Sequence, residues 1–219
     1  AYSDGKLTLS HEVGGSLGDF LEREALHRLL KRADAIYVAH GAPDRVFGEE
    51  SRKIDDLADR AHLAGLELIR TRIRHIGTEN CKVVLDRLQQ SLAGRVEIRT
   101  DCAVREIVAE DGKIRGVTLG DGKILTSRFV VAAPGRSGAS WMKTQAESLG
   151  LKTKASPVDI GVRVEAPASI LRKLTDLAYE AKLIYYSKTF DDKLRTFCMN
   201  PYGEVGTETI DEIMTVNGH

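Results

Sequence analysis

The sequence predicts a mixed α/β fold, and three of its features predict it. Apolar residues recur at helical spacing in several segments before residue 93. From Arg95 onward strict alternation takes over. Asp111-Gly112 and Asp121-Gly122 punctuate that alternation. Helical spacing selects amphipathic helices, alternation selects half-buried strands, and Asp-Gly between alternating runs selects tight hairpins.

Residues 16–31 carry Leu17, Phe20, Leu21, Leu26, Leu29 and Leu30 among charged side chains, which predicts a helix with Ser16 as its N-cap. Residues 36–39 form a short apolar segment broken at Gly41-Ala42-Pro43. A second helix is expected over 49–64, stopped by Gly65, and residues 66–69 read as a short strand. The loop Arg74-His75-Ile76-Gly77-Thr78 then leads into a third helix. Cys81, Leu85, Leu88 and Leu92 make one stripe of that helix, Thr78 or Asn80 caps its start, and Gly94 ends it.

Residues 96–100 and 103–109 alternate as strands. Residues 114–119 and 123–125 follow the two Asp-Gly turns, completing an antiparallel meander. Residues 129–133 are a continuous apolar run of strand length, expected to be covered on both faces. A helix is expected over 137–149, where Trp141 packs it against the sheet. Beyond Pro157 the pattern gives a strand at 160–165 and a helix at 168–178. An antiparallel pair at 182–187 and 195–199 and a last strand at 213–216 complete it.

Composition excludes several classes. Lys plus Arg number 32 and Asp plus Glu number 32, so no global field draws in nucleic acid or an anionic membrane. Arg70, Arg72 and Arg74 with His75 read as one solvated face. Cys81, Cys102 and Cys198 stand far apart, which argues against a zinc site and a disulfide framework and fits a reducing cytoplasm. No metal site is expected. No apolar run reaches the roughly 18 residues of a membrane span. The chain opens at Ala1 rather than Met, which fits the removal of something upstream. Gly14-Gly15 with Gly18 reads as a loop rather than a phosphate grip, because no strand precedes it.

The block of helix, strand, Asp-Gly meander and apolar run ending Ala132-Ala133-Pro134-Gly135 resembles the second half of the FAD-binding domain in glutathione-reductase-like flavoproteins. Five further pieces occur in order around it: Tyr2-Ser-Asp-Gly-Lys-Leu7, the 74–78 loop, Ile160-Gly-Val-Arg-Val-Glu165, Thr196-Phe-Cys-Met199 and Thr215-Val-Asn-Gly218. Together they look like a family of bacterial and archaeal FAD-dependent dehydrogenases, distantly similar to the aminoacetone-oxidase-like flavoproteins. The resemblance covers nearly the whole chain. It implies a partial FAD-binding domain built from 1–15 and 66–156, bridging helices over 16–65, and a cap or substrate-like α/β domain over 157–219.

The same resemblance implies FAD as cofactor and a dehydrogenase that passes hydride through the flavin. A small-molecule substrate and NAD(P)H are the implied partners, with neither nucleic acid nor membrane. Ala103 and Val104 correspond to the backbone that reads the adenine edge. Ala133, Pro134 and Gly135 correspond to the turn that passes close to the cofactor, with Pro134 where the family has Thr. Ser3, Asp4, Gly5 and Lys6 correspond to residues beside the isoalloxazine, although Ser-Asp-Gly is also an ordinary turn. Two departures stand out. No GxGxxG occurs in the 219 residues, and Asn200 stands where many relatives have a second cysteine. Without that turn, the usual cradle for the pyrophosphate, this chain alone is expected to bind FAD weakly and to be inactive.

His75 and Thr78 are the candidate catalytic residues. An imidazole and a hydroxyl flank the permissive Gly77 at a helix start, where backbone amides lack helical partners. The plainer alternative leaves Thr78 as a helix cap and His75 in solvent. Cys198 is either a redox thiol or, by burial habit, a core residue. Against the oxidoreductase reading stands a non-catalytic binding or structural module that keeps the scaffold without cofactor. An NAD-binding Rossmann dehydrogenase fails for want of its fingerprint.

Overall fold

The computed structural model describes residues 5–11, 16–154, 158–197, 199–210 and 212–218. Along them run β1 (Lys6–Thr8), α1 (Arg23–Ala39), β2 (Val46–Phe47), α2 (Arg52–Leu63), β3 (Glu67–Ile69), β4 (Ile73–His75) and α3 (Thr78–Leu92). Next come β5 (Val104–Glu110), β6 (Lys113–Leu119), β7 (Ile124–Thr126) and α4 (Ala139–Ser148). The last group is α5 (Ala168–Ala178), β8 (Lys182–Tyr186), β9 (Lys193–Arg195), β10 (Val205–Ile210) and β11 (Ile213–Gly218). Single turns of 3-10 helix sit at Leu17–Asp19 and Arg136–Gly138. The fold is mixed α/β, with small antiparallel sheets and five helices among the described residues.

The chain divides into two compact units, Ala1–Ala93 with Val162–His219, and Gly94–Gly161. This grouping differs from the expected boundary at 157. β3 pairs with β8, Glu67 opposite Ile184, so a segment expected in the flavin-type part shares a sheet with one expected in the cap.

In the first unit β4 lies between β1 and β2, antiparallel to both. Alternation gives this sheet two faces. Leu7 packs on a cluster of Ala42, Ile76, Cys81 and Val84, joined by Tyr37 and Leu88 from α1 and α3. A second cluster gathers Ile54, Ala178 and Ala181 with Leu68, Leu174, Leu177 and Met199. The β2–α5 join is fixed by Gly48 N–H donating to Leu177 O.

Helix ends follow local chemistry. Ser51 caps α2 by accepting from Ile54 N–H at 3.4 Å, and Gly65 ends that helix at φ +73, as expected. The start of the first helix differs. Ser16 makes no side-chain cap, only a 3-10 turn forms at Leu17–Asp19, and α1 begins at Arg23. It then runs through the apolar 36–39 segment, because no breaker precedes Gly41, whose φ is +104. Gly77, at φ +85, starts α3 in place of Thr78 or Asn80. Asn80 Nδ2 instead donates to Gly41 O at 3.1 Å. The buried stripe of α3 is Cys81 and Val84 with Leu88, while Leu85 is 44% exposed.

The second unit holds the meander. β5, β6 and β7 pair in order, with Asp111 at φ +50 and Gly112 at φ +69 in the first turn. Two successive positive φ values are what a type I′ hairpin requires. At the second turn Asp121 Oδ1 accepts from Lys123 N–H, and this bond holds the Asp121 carboxyl below its ordinary pKa. α4 docks on the free edge of β5 by polar contacts. Gln145 Oε1 accepts from Ile107 N–H at 2.8 Å, and Trp141 Nε1 donates to Arg105 O at 2.9 Å.

Three expected strands do not pair. Residues 96–100, 129–133 and 160–165 join no ladder among the described residues. Most of their apolar side chains stand in solvent, with Val131 91% and Val162 89% exposed. A continuous apolar run specifies burial, but a strand also needs a neighbour's N–H and C=O groups. The last strand extends to Gly218 and pairs with β10, a partner the pattern did not indicate. No helix among the described residues is long and apolar enough to cross a membrane.

Candidate functional site

The β1–β4 pairing sets Lys6 directly opposite His75. Directly opposed residues in an antiparallel pair share a face, so the ammonium and the imidazole lie on the same side of the sheet. Phe47, opposite Ile73 on the other edge, belongs to that face as well. The residues that follow α5 cover it.

Tyr179 and Glu180 do the covering. The Tyr179 hydroxyl lies 2.9 Å from His75 Nε2, and the two rings stack with centroids 4.1 Å apart. Phe47 also meets Tyr179, with ring centroids 5.2 Å apart, and the Arg45 guanidinium lies 4.1 Å over Phe47. Glu180 pairs with Lys6 at 3.4 Å, with side-chain exposures of 8% and 11%. An ion pair so far out of water is held only when both partners are present. Two consecutive residues thus engage two cross-strand neighbours.

Tyr179 does this from an uncommon backbone conformation, φ +54 and ψ −69. A bulky residue there resembles the classic γ-turn, which is rare and strained. Tyr179 N–H closes α5 by donating to Thr175 O at 2.8 Å. The turn aims both side chains back at the sheet.

The opposite face of the sheet is anchored by Arg74. Its guanidinium donates to both carboxylate oxygens of Asp34 on α1, at 2.6 and 2.8 Å, and to Pro43 O. The Asp34 hydrogen bond raises the pKa of Arg74 above its ordinary value. Arg70 and Arg72 do sit at the surface, on Asp55 and Glu49, but Arg74 is buried and leaves the expected solvated face.

The other expected site residues fall as follows. Ser3 and Asp4 lie outside the described residues, as does Cys198. Gly5 is buried at φ +74, and its carbonyl accepts from Ile76 N–H. A Cβ there would come within 2.5 Å of Cys81 Sγ and 2.9 Å of Ile76 Cβ, so protein atoms already fill that space. Thr78 is exposed in the first turn of α3.

In the second unit Ala103 precedes β5, its carbonyl accepting from Gly120 N–H, and Val104 opens the strand opposite Leu119. Ala133, Pro134 and Gly135 are exposed, and Gly135 adopts φ +68 with nothing within 4 Å of where a Cβ would stand. Gly138 follows closely, since a Cβ on it would meet Pro134 Cβ at 2.4 Å. The Trp141–Arg105 bond brings the segment after this turn to the start of β5.

Sequence reasoning missed Tyr179, Glu180 and Phe47. The helix ends Ala178-Tyr-Glu-Ala181 without a Gly or Asn to signal a positive φ. An open cavity of about 810 Å³ in the first unit is lined elsewhere, by Arg163, Arg195, Phe197 and Tyr202 among others, and by none of the cluster just described. Among the described residues no group of three His, Cys, Asp or Glu could hold a metal ion. The chain matches no protein-family model and no curated protein.

Proposed function

We propose that this chain is a segment of an FAD-dependent oxidoreductase, a dehydrogenase served by a small-molecule substrate or NAD(P)H. The observation that carries the reading is the turn 133–135. It follows the hairpin meander, is exposed, and ends on a glycine at φ +68 with open space over its Cα. Such a turn leaves room for a flat ligand against the backbone, because Gly135 carries no side chain.

FAD, when bound, supplies two-electron redox chemistry. The groups of this chain that fit it are the backbone of Ala103 and Val104 and that of Ala133 to Gly135. One acceptor is already spent inside the fold, because Ala103 O is bonded to Gly120 N–H. The pyrophosphate finds no GxGxxG turn in the sequence. Several charge-assisted amide contacts, each about 1.5–3 kcal/mol, are therefore missing, and affinity falls by orders of magnitude.

In the first unit His75 holds a proton or a hydrogen bond against Tyr179, and Thr78 offers a hydroxyl at the start of α3. Lys6 and Glu180 neutralise each other beside them. Titration of flavin fluorescence tests the reading. The expected result is weak, saturable quenching of FAD. No quenching at about 1 mM FAD, a ligand binding more weakly than roughly 4 kcal/mol, favours the non-catalytic module instead.

A further inference from the structure

The cavity of about 810 Å³ has the size of a small-molecule site. Its walls come from residues 162–168, from Leu171 and Thr175 on α5, and from residues 195–197 and 199–205, all within the first unit. Hydrogen bonds fix these walls to the fold. Glu165 Oε2 accepts from Val205 N–H at 2.9 Å. Thr196 Oγ1 donates to Ala181 O at 2.6 Å and accepts from Leu183 N–H at 2.9 Å.

Two aromatic rings line this space and stay largely uncovered, Phe197 at 59% and Tyr202 at 79% exposure. Large rings left in water forgo the burial that aromatic side chains favour. The Arg195 guanidinium lies 4.8 Å over the Phe197 ring, and its flat face widens the planar surface whatever else it bonds. Tyr202 makes no hydrogen bond and no ring contact with any described residue.

The backbone of Tyr202 sharpens the point. Gly203 N–H donates to Asn200 O at 3.1 Å, closing a turn with Pro201 second and Tyr202 third, at φ +64. Proline followed by a positive φ is the pattern of a type II turn, whose third position favours glycine or asparagine. A tyrosine there is strained. Strain that no contact within the chain repays marks a residue held for something outside the fold.

We propose that this cavity binds a planar aromatic ring, which stacks on Phe197 and Tyr202 against the apolar side chains of Val162, Val164 and Leu171. The inference deepens the oxidoreductase reading, and rests on it only in making the ring part of the substrate. Binding itself needs no flavin.

The test compares naphthylmethanol with its fully saturated counterpart, which is more apolar but not flat, by amide chemical-shift titration of the chain. The expected result is saturable shifts at Leu171, Phe197 and Tyr202, with the saturated alcohol about tenfold weaker. Equal affinity for the two alcohols, or shifts confined to other segments, overturns the proposal. Tyr202→Gly supplies the residue that the turn favours, so it is expected to unfold no more easily than the wild type in urea. It is expected to bind naphthylmethanol about tenfold more weakly, and unchanged affinity overturns the proposal. The two alcohols are compared on the wild type, so that arm decides even if the variant does not fold. Naphthylmethanol bound in the cavity of a chain that quenches no flavin upholds the site and overturns the flavin reading alone. Flavin quenching without naphthylmethanol binding overturns the site alone.

Discussion

At the residue scale, two glycines with nearly the same φ do different work. Gly5 and Gly135 sit at φ +74 and +68. Around Gly5 the space is filled by Cys81 and Ile76, whereas over Gly135 it is open. Gly135→Ala therefore adds only the cost of a left-handed alanine, about 1–2 kcal/mol. Gly5→Ala adds that cost and an overlap with buried atoms, which typically brings about 1–3 kcal/mol more. Chemical denaturation of the two variants checks this, and equal losses would contradict the packing of Gly5. The sequence marked both glycines but could not rank them, because the difference lies in neighbours 71 to 76 residues away from Gly5. His75 was legible as a titratable group at a helix start. Its partner was not, since a tyrosine at positive φ leaves no mark in composition or period.

At the element scale, the parts read most clearly are those fixed by local chemistry. The meander was legible because Asp111-Gly112 dictates a two-residue hairpin and alternation dictates the faces. The stop of α2 at Gly65 was legible for the same reason. The stripe of α3 was misjudged, because Leu85 and Val84 are equally apolar and only the position of Ala42 and Ile76 selects Val84. The docking of α4 was half legible. Trp141 was expected against the sheet, but Gln145, 4% exposed and bonded to Ile107 N–H, was not. Gln145→Leu keeps the bulk and strands that amide. Thermal or urea unfolding is expected to register a loss of about 1–3 kcal/mol. A variant as stable as the wild type would mean that the Gln145–Ile107 bond contributes nothing to the docking of α4.

At the scale of the whole molecule, the apolar pattern promises more sheet than the described residues build. Residues 96–100, 129–133 and 160–165 carry strand patterns, yet Phe129, Val131, Val162 and Val164 are each at least 78% exposed. Periodicity reports which side chains favour burial. The identity of the neighbour that buries them is a long-range property, and no ladder among the described residues supplies one. Long-range pairing is hidden from the pattern for a related reason. The pairing of β3 with β8 links segments more than a hundred residues apart, and no change in local pattern announces it.

The central claim is that the turn after the meander is a cofactor-binding turn, and amide chemical-shift mapping with FAD tests it most directly. On addition of FAD the account predicts saturable shifts at Ala103, Val104, Ala133 and Gly135, and their loss in Gly135→Val, which puts a branched side chain into the open space over that glycine. Shifts confined to other segments, or shifts in Gly135→Val equal to those of the wild type, would contradict it.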